Sequence, residues 1–315
     1  MKDKLKKGLI IAAIAVALIH LINYLINLAA SVKNLLSDEK GSYFSWRCGE
    51  VYYKKSGSGS PLLLIHDLSP SSSSYEWNSI VEKLSKKHTV YCLELPGCGR
   101  SEKPDFTYTN YFYVQLLNDF VSQVIKEKAN VAATGLSGSV VMMANLNNPD
   151  LFDKIVMINP EDIEKLCQIP SAWSRFVKFL INMPIIGTGI YNLHMNRENI
   201  EYQFTENYFY NPFLVKKKML HVYYESAHKD DSHGKYLLAS LYGGYINANI
   251  TKALKEASND LIIIEGTHFS RGKDIVKDYI KLNPDIHTLF IKDTKRYPHM
   301  ENPELILKHF DDLFD

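Results

Sequence analysis

Short apolar runs alternate with amphipathic stretches along most of this chain, and that alternation is the first structural signal. Tyr43 to Tyr53 and Pro61 to Ile65 read as strands, separated by the turn-rich Ser56-Gly57-Ser58-Gly59-Ser60. The pattern then predicts an amphipathic helix near Tyr75 to Lys86, a strand over Thr89 to Leu93 and a helix from about Tyr111 to Lys126. Val131 to Ala133 and Ile155 to Ile158 read as further strands, with Val140 to Ala144 between them as a buried helix. Strands alternating with helices predict an α/β fold: a mostly parallel twisted sheet with crossover connections and helices on both faces. After Pro160 the rhythm changes to helical patterns rich in aromatics, among them Trp173, Phe176, Phe179, Tyr191, Phe204, Tyr208, Tyr223 and Tyr242. The sheet resumes at Leu261 to Ile264, followed by helix Asp274 to Lys281, strand Thr288 to Ile291 and a last helix, Glu304 to Leu313.

Ahead of this alternation lies a different kind of segment. Lys2, Lys4, Lys6 and Lys7 precede Gly8 to Ala30, in which no residue is charged. As a helix rising about 1.5 Å per residue, that segment is long enough to cross a hydrocarbon core of about 30 Å, so it is expected to be a single transmembrane anchor. The lysine bias places the N-terminus in the cytoplasm and the globular part outside it. His20, Asn23 and Asn27, continued by Ser31 and Asn34, share one helical face, which would meet a partner helix or lie in the membrane interface. A cleaved signal peptide ending at Leu28-Ala29-Ala30 is the other reading of the same residues.

Composition narrows the class. The 315 residues are 46% apolar with a formal net charge of +1, which suits a globular core and gives no nucleic-acid surface. Cys48, Cys92, Cys98 and Cys167 are widely spaced, form no C-x-x-C pair and read as free thiols, so no metal site, disulfide framework or cofactor is indicated.

Candidate chemistry is concentrated at the ends of the predicted strands. Gly135-Leu136-Ser137-Gly138-Ser139 joins a strand to a buried helix, with Ser137 expected at the apex of the bend. Ser137 as a helix cap is the alternative structural reading of the same turn. The stretch resembles the nucleophile elbow, G-x-S-x-G, of the α/β-hydrolase superfamily, with Ser139 in place of the last glycine. Two further motifs carry the same resemblance: His66-Asp67 stands where the family has H-G, and Glu94-Leu-Pro-Gly-Cys-Gly-Arg-Ser101 matches its D-x-P-G-x-G-x-S turn. The resemblance implies an α/β-hydrolase core over 41–160 and 261–315, a helical cap over 161–260 and the anchor with its juxtamembrane segment over 1–40. It also implies Ser137 as nucleophile, backbone N–H groups of Leu68 and Gly138 as the oxyanion hole, and His66 as structural. Asp67 would oppose an oxyanion unless its side chain points away.

The family's other two chemical groups are displaced. Lys295-Arg-Tyr-Pro-His-Met-Glu-Asn-Pro-Glu304 resembles G-H-x-P-H-x-E-x-P-E, in which the first histidine is the general base; Arg296 holds that position and His299 matches the second histidine. The usual acid position holds Phe269. A serine hydroxyl needs a base and a third group to orient that base, and arginine stays protonated. His299 or His268 is left as base and Glu161 or Asp162 as acid; Asp293 reads as a turn residue. Two functions follow. One is a serine hydrolase of an apolar ester or small acyl substrate working through an acyl-enzyme; the other is a catalytically silent, membrane-tethered binding or scaffolding protein. A serine in the elbow argues against the carboxylate-nucleophile chemistry of dehalogenases and epoxide hydrolases.

Overall fold

The computed structural model describes residues 2–37 and 40–314. Its sheet has eight strands: β1 (Ser42–Trp46), β2 (Gly49–Ser56), β3 (Ser60–Ile65), β4 (His88–Leu93), β5 (Ala129–Thr134), β6 (Phe152–Ile158), β7 (Asp260–Gly266) and β8 (His287–Ile291). They lie in the order β1-β2-β4-β3-β5-β6-β7-β8. The β1–β2 and β2–β4 pairs are antiparallel and all others parallel, as the alternation of strands and helices implied. Tyr43 to Tyr53, expected as one strand, is a hairpin: Trp46 pairs with Gly49 across Arg47-Cys48, and Gly49 takes φ +124°, a conformation open to glycine.

The strands show why the apolar runs are continuous: both sheet faces are covered. Leu63, Ile65, Val131, Ala133, Ile155, Met157 and Ile263 point to one side, against α2 (Asn110–Phe120) and α3 (Ser137–Asn147). Their neighbours Leu62, Leu64, Ala132, Val156, Ile158, Ile262 and Ile264 point to the other, against Trp77, Ile80, Ile306 and Phe310. The amphipathic helix expected over Tyr75 to Lys86 is two short turns, Ser74–Trp77 and Val81–Leu84, although its apolar positions are buried as the pattern required.

Between β6 and β7 the chain forms a helical insertion containing α4 (Ala172–Asn182), α5 (Ile186–His194), α6 (Lys217–Ser232) and α7 (Lys235–Tyr242). After β7 come α8 (Gly272–Leu282) and, closing the chain, α9 (Pro303–Phe314).

The first helix, α1 (Lys2–Ser31), is long and apolar enough to cross a membrane by length and composition. Its C-terminal half lies on α5 and α6, and the asparagines of its polar stripe turn inward. Asn23 Nδ2 donates to the Ile185 carbonyl at 2.9 Å, Asn192 Nδ2 donates to Asn23 Oδ1 at 3.0 Å, and the Ser232 hydroxyl donates to Asn27 Oδ1. His20 and Ser31, expected on the same stripe, stay exposed.

Candidate active site

The bend after β5 sits two residues earlier than the motif suggested. Gly135 has φ +55°, the left-handed conformation that marks the sharp turn, and its N–H donates to the Ile158 carbonyl at 2.9 Å. Ser137 is the first residue of α3, is wholly buried, and its hydroxyl donates to the His66 carbonyl at 2.6 Å. A side chain on Gly135 would run straight into the groups above it: its Cβ would lie 2.3 Å from Asp67 Oδ1 and 2.7 Å from Arg296 Nη2. The small-x-Gly-x-small frame Ala133-Thr134-Gly135-Leu136-Ser137 was the sequence signal for this register, and it competes on equal terms with the frame ending at Ser139.

Asp67 points in, not away. Its Oδ1 accepts the Leu68 N–H at 2.9 Å and the Leu136 N–H at 3.2 Å. Its Oδ2 takes two hydrogen bonds from Arg296, 2.8 Å from Nε and 2.6 Å from Nη2, and a third from the Tyr297 hydroxyl at 3.3 Å. Arg296 Nη2 also donates to Glu161 Oε1 at 3.2 Å. One guanidinium is therefore clamped between two carboxylates, with two of its nitrogens on a single Asp67 oxygen, and these charge-assisted bonds fix its plane. Burial alone would lower the Arg296 pKa, but Asp67 and Glu161 hold it well above the usual value. Burial would likewise push Glu161 up, while Arg296 and Lys165 bring it below the ordinary carboxylate range. The two N–H groups expected as an oxyanion hole are both engaged: Leu68 by Asp67, and Gly138 by the Gly135 carbonyl at 3.2 Å.

The remaining candidates lie apart from Ser137. His299 is fully buried, stacked on Trp77 with centroids 4.5 Å apart, its Nε2 3.3 Å from Glu76 Oε1. His268 is exposed, stacked on Tyr210 at 4.2 Å with Nδ1 3.1 Å from the Thr267 hydroxyl. Asp162 caps a short helix by accepting the Glu164 N–H and pairs with Arg271 at 2.8 Å, while Glu161 is shared between Arg296 and Lys165. Phe269 lies beside the Arg296 guanidinium, 5.7 Å from ring centroid to Cζ. His66 serves the scaffold, its Nδ1 bonded to the Asp67 carbonyl at 2.8 Å and its Nε2 accepting the Leu95 N–H at 3.1 Å. Among the described residues no histidine ring lies within hydrogen-bond distance of the Ser137 hydroxyl.

Above the ion cluster is a cavity of about 620 Å³. Asp67, Glu161, Lys165 and Arg296 give it a polar floor, and Met195, Phe204, Tyr208, Leu238, Leu241 and Tyr242 line its walls. Ser137 does not reach it. No group of three or more His, Cys, Asp or Glu among the described residues is arranged to hold a metal ion.

Three comparisons bear on this arrangement. The family model described as alpha/beta hydrolase fold matches residues 60–182. A soluble epoxide hydrolase from Corynebacterium sp. (strain C12) is 29% identical over 109 residues, which are 35% of this chain and 37% of that protein. The chain thus spans about a third of the length of the curated relatives it matches. Among solved structures, Cfl2 from Burkholderia cenocepacia superposes with a TM-score of 0.73 at 14% identity, over 87% of this chain and 95% of that one. A bacterial membrane phospholipase A superposes with a TM-score of 0.67 at 16% identity, over 100% of this chain and 98% of that one. At such identities the structural likeness is one of fold.

Proposed function

The chain belongs to the α/β-hydrolase superfamily, and from that premise we propose that it is a membrane-tethered member whose pocket binds a small amphiphile without turning it over. The observation that carries this reading is the apex of the bend after β5. The residue projecting from it is Gly135, and the space above it is filled by the Asp67–Arg296 pair. A nucleophile would project from there, with its base close by. Glycine offers no oxygen, arginine takes no proton, and a carboxylate on the Leu68 N–H repels the negative oxygen of a tetrahedral intermediate.

Hydrolysis through Ser137, His299 and Glu161 or Asp162 would demand three simultaneous rearrangements. The serine would have to leave the His66 carbonyl, the histidine its place between Trp77 and Glu76, and Arg296 its seat over the elbow. Nothing in the packing around these groups favours such a change.

The cavity supports the ligand class. Asp67 and Glu161 offset Arg296 and Lys165, so the floor suits a neutral or zwitterionic polar head, and the aromatic and aliphatic walls suit an acyl chain. For the tether, the apolar helix α1, the four lysines that precede its uncharged stretch and the likeness over the whole chain to a membrane phospholipase A give support. In this reading α1 is retained, its N-terminus is cytoplasmic, the globular part lies outside, and the insertion is the cap over the pocket.

The full chain in lipid nanodiscs, titrated with a dansylated medium-chain monoacylglycerol, tests the proposal. Saturable binding is expected, unchanged by Ser137→Ala and weakened about tenfold or more by Leu241→Trp, which fills the cavity. Hydrolysis of p-nitrophenyl butyrate that disappears in Ser137→Ala would overturn it.

A further inference from the structure

We infer that the exposed apolar face shared by α4 and α5 is a lipid-docking surface that lies in the boundary between headgroups and acyl chains beside α1. The inference rests on the tether reading above and adds to it a second, non-spanning contact with the bilayer.

Only the first part of α1 stands free. Gly8 to Ile19 carries no strongly polar side chain and is exposed as far as Leu18, Ile19 being the first residue to meet the insertion, but at 1.5 Å per residue it reaches only about 18 Å, against the roughly 30 Å of a hydrocarbon core. A spanning α1 must therefore bring the bilayer down over its docked half as well. That half is built for it: Asn23 and Asn27 are sealed against the insertion, while Leu21, Ile22, Leu25 and Leu28 face outward and are more than half exposed.

At this depth α5 lies alongside. A Cβ on Gly189 would sit 3.4 Å from Ile19 Cγ2, and Asn23 is tied to the Ile185 carbonyl, so the start of α5 is level with Asn23 and its middle with the end of the free segment. On its outer side α5 presents Ile186, Ile190 and Leu193, spaced i, i+4, i+7 on one stripe and all exposed. The neighbouring α4 adds Trp173, Phe176 and Phe179, with Trp173 71% exposed. Scattered apolar residues need no explanation, but exposed apolar side chains gathered on two helices that pack on one another, one of them also on α1, do. Aromatic residues on such a face suit the membrane interface, and Arg175, exposed on α4, suits the headgroups. The placement also sets the route into the pocket. His194 and Met195, at the C-terminal end of α5, line the cavity, so this face borders the pocket and an amphiphile entering there would come from the bilayer.

Trp173 provides its own probe, because Trp46 and Trp77 are buried in the core and Trp173→Phe isolates its emission. The full chain is reconstituted into phosphatidylcholine vesicles with lipids brominated at shallow or deep acyl positions. Trp173 is expected to be quenched by shallow bromines more than by deep ones, and to be protected from aqueous iodide. Quenching by iodide with none by bromolipid overturns the inference. So does protection from both quenchers with cross-linking of two chains through this face, because a second copy would then cover it. A Tyr24→Trp reporter on the outer side of α1, in the Trp173→Phe background, separates the two readings. Bromolipid quenching at position 24 but not at Trp173 removes the docking surface alone; no quenching at either removes the tether as well.

Discussion

Arg100 and Arg296 each sit against a buried carboxylate, yet only one of these pairs opens onto a cavity. Arg100 grips Glu94 with Nε at 3.2 Å from both oxygens and Nη2 at 2.5 Å, donates to the Ser74 hydroxyl and the Leu36 carbonyl, and lies 4.0 Å over the Tyr52 ring. The side chains of Arg100 and Glu94 are 5% and 0% exposed, against 16% and 6% for Arg296 and Asp67. The sealed pair ties three loops together, including the segment leaving α1, and its work is mechanical. The open pair stands where the fold usually places reacting groups, so it determines what the pocket can do. Similar ionic chemistry thus serves stability in one corner and, in the proposed function, replaces reactivity in the other, and access to the cavity separates the two roles.

The sealed pair is accordingly the more sensitive to damage. Glu94→Ala leaves Arg100 charged in a closed site and should cost about 3–5 kcal/mol of unfolding free energy, measured by denaturant titration. Arg296→Met leaves Asp67 its two backbone N–H donors and Glu161 its lysine, with the cavity near both, so the loss should be smaller, about 1–3 kcal/mol. A larger loss in Arg296→Met than in Glu94→Ala would break the comparison.

Glu265 sharpens it from a third side, as a carboxylate with no guanidinium bonded to it. Both of its oxygens are buried without a hydrogen-bond partner, and burial raises its pKa to about 8, Arg296 only partly opposing the shift. The folded state keeps this proton to a higher pH than the unfolded chain. Stability should therefore fall as pH rises from about 4.5 to about 8, and the loss should be complete above that window. Glu265→Gln should flatten this slope in thermal unfolding and be the more stable protein at pH 9, by on the order of 1–2 kcal/mol. An unchanged slope would mean that the proton is held elsewhere.

Much of this architecture was legible because strands covered on both faces leave unbroken apolar runs, as Leu62 to Ile65 and Ile155 to Ile158 do. The site was legible only as substitutions. Arginine for histidine at 296 and aspartate for glycine at 67 were each visible, but not that they answer one another across 229 positions. The apex was misplaced for a simpler reason. Two overlapping small-residue frames fit the same turn, and only the backbone angle at Gly135 tells them apart. The direction of Asn23 and Asn27 was likewise hidden, since a polar stripe on a helix does not name its partner.

Fluorophosphonate labelling of the full chain, read by mass spectrometry of its peptides, decides whether the Ser137 hydroxyl is an activated nucleophile. Ser137 is expected to carry no adduct under conditions that label an active serine esterase to completion. An adduct on Ser137 that is lost in His299→Ala would contradict it, because a buried hydroxyl would then have found an imidazole to take its proton.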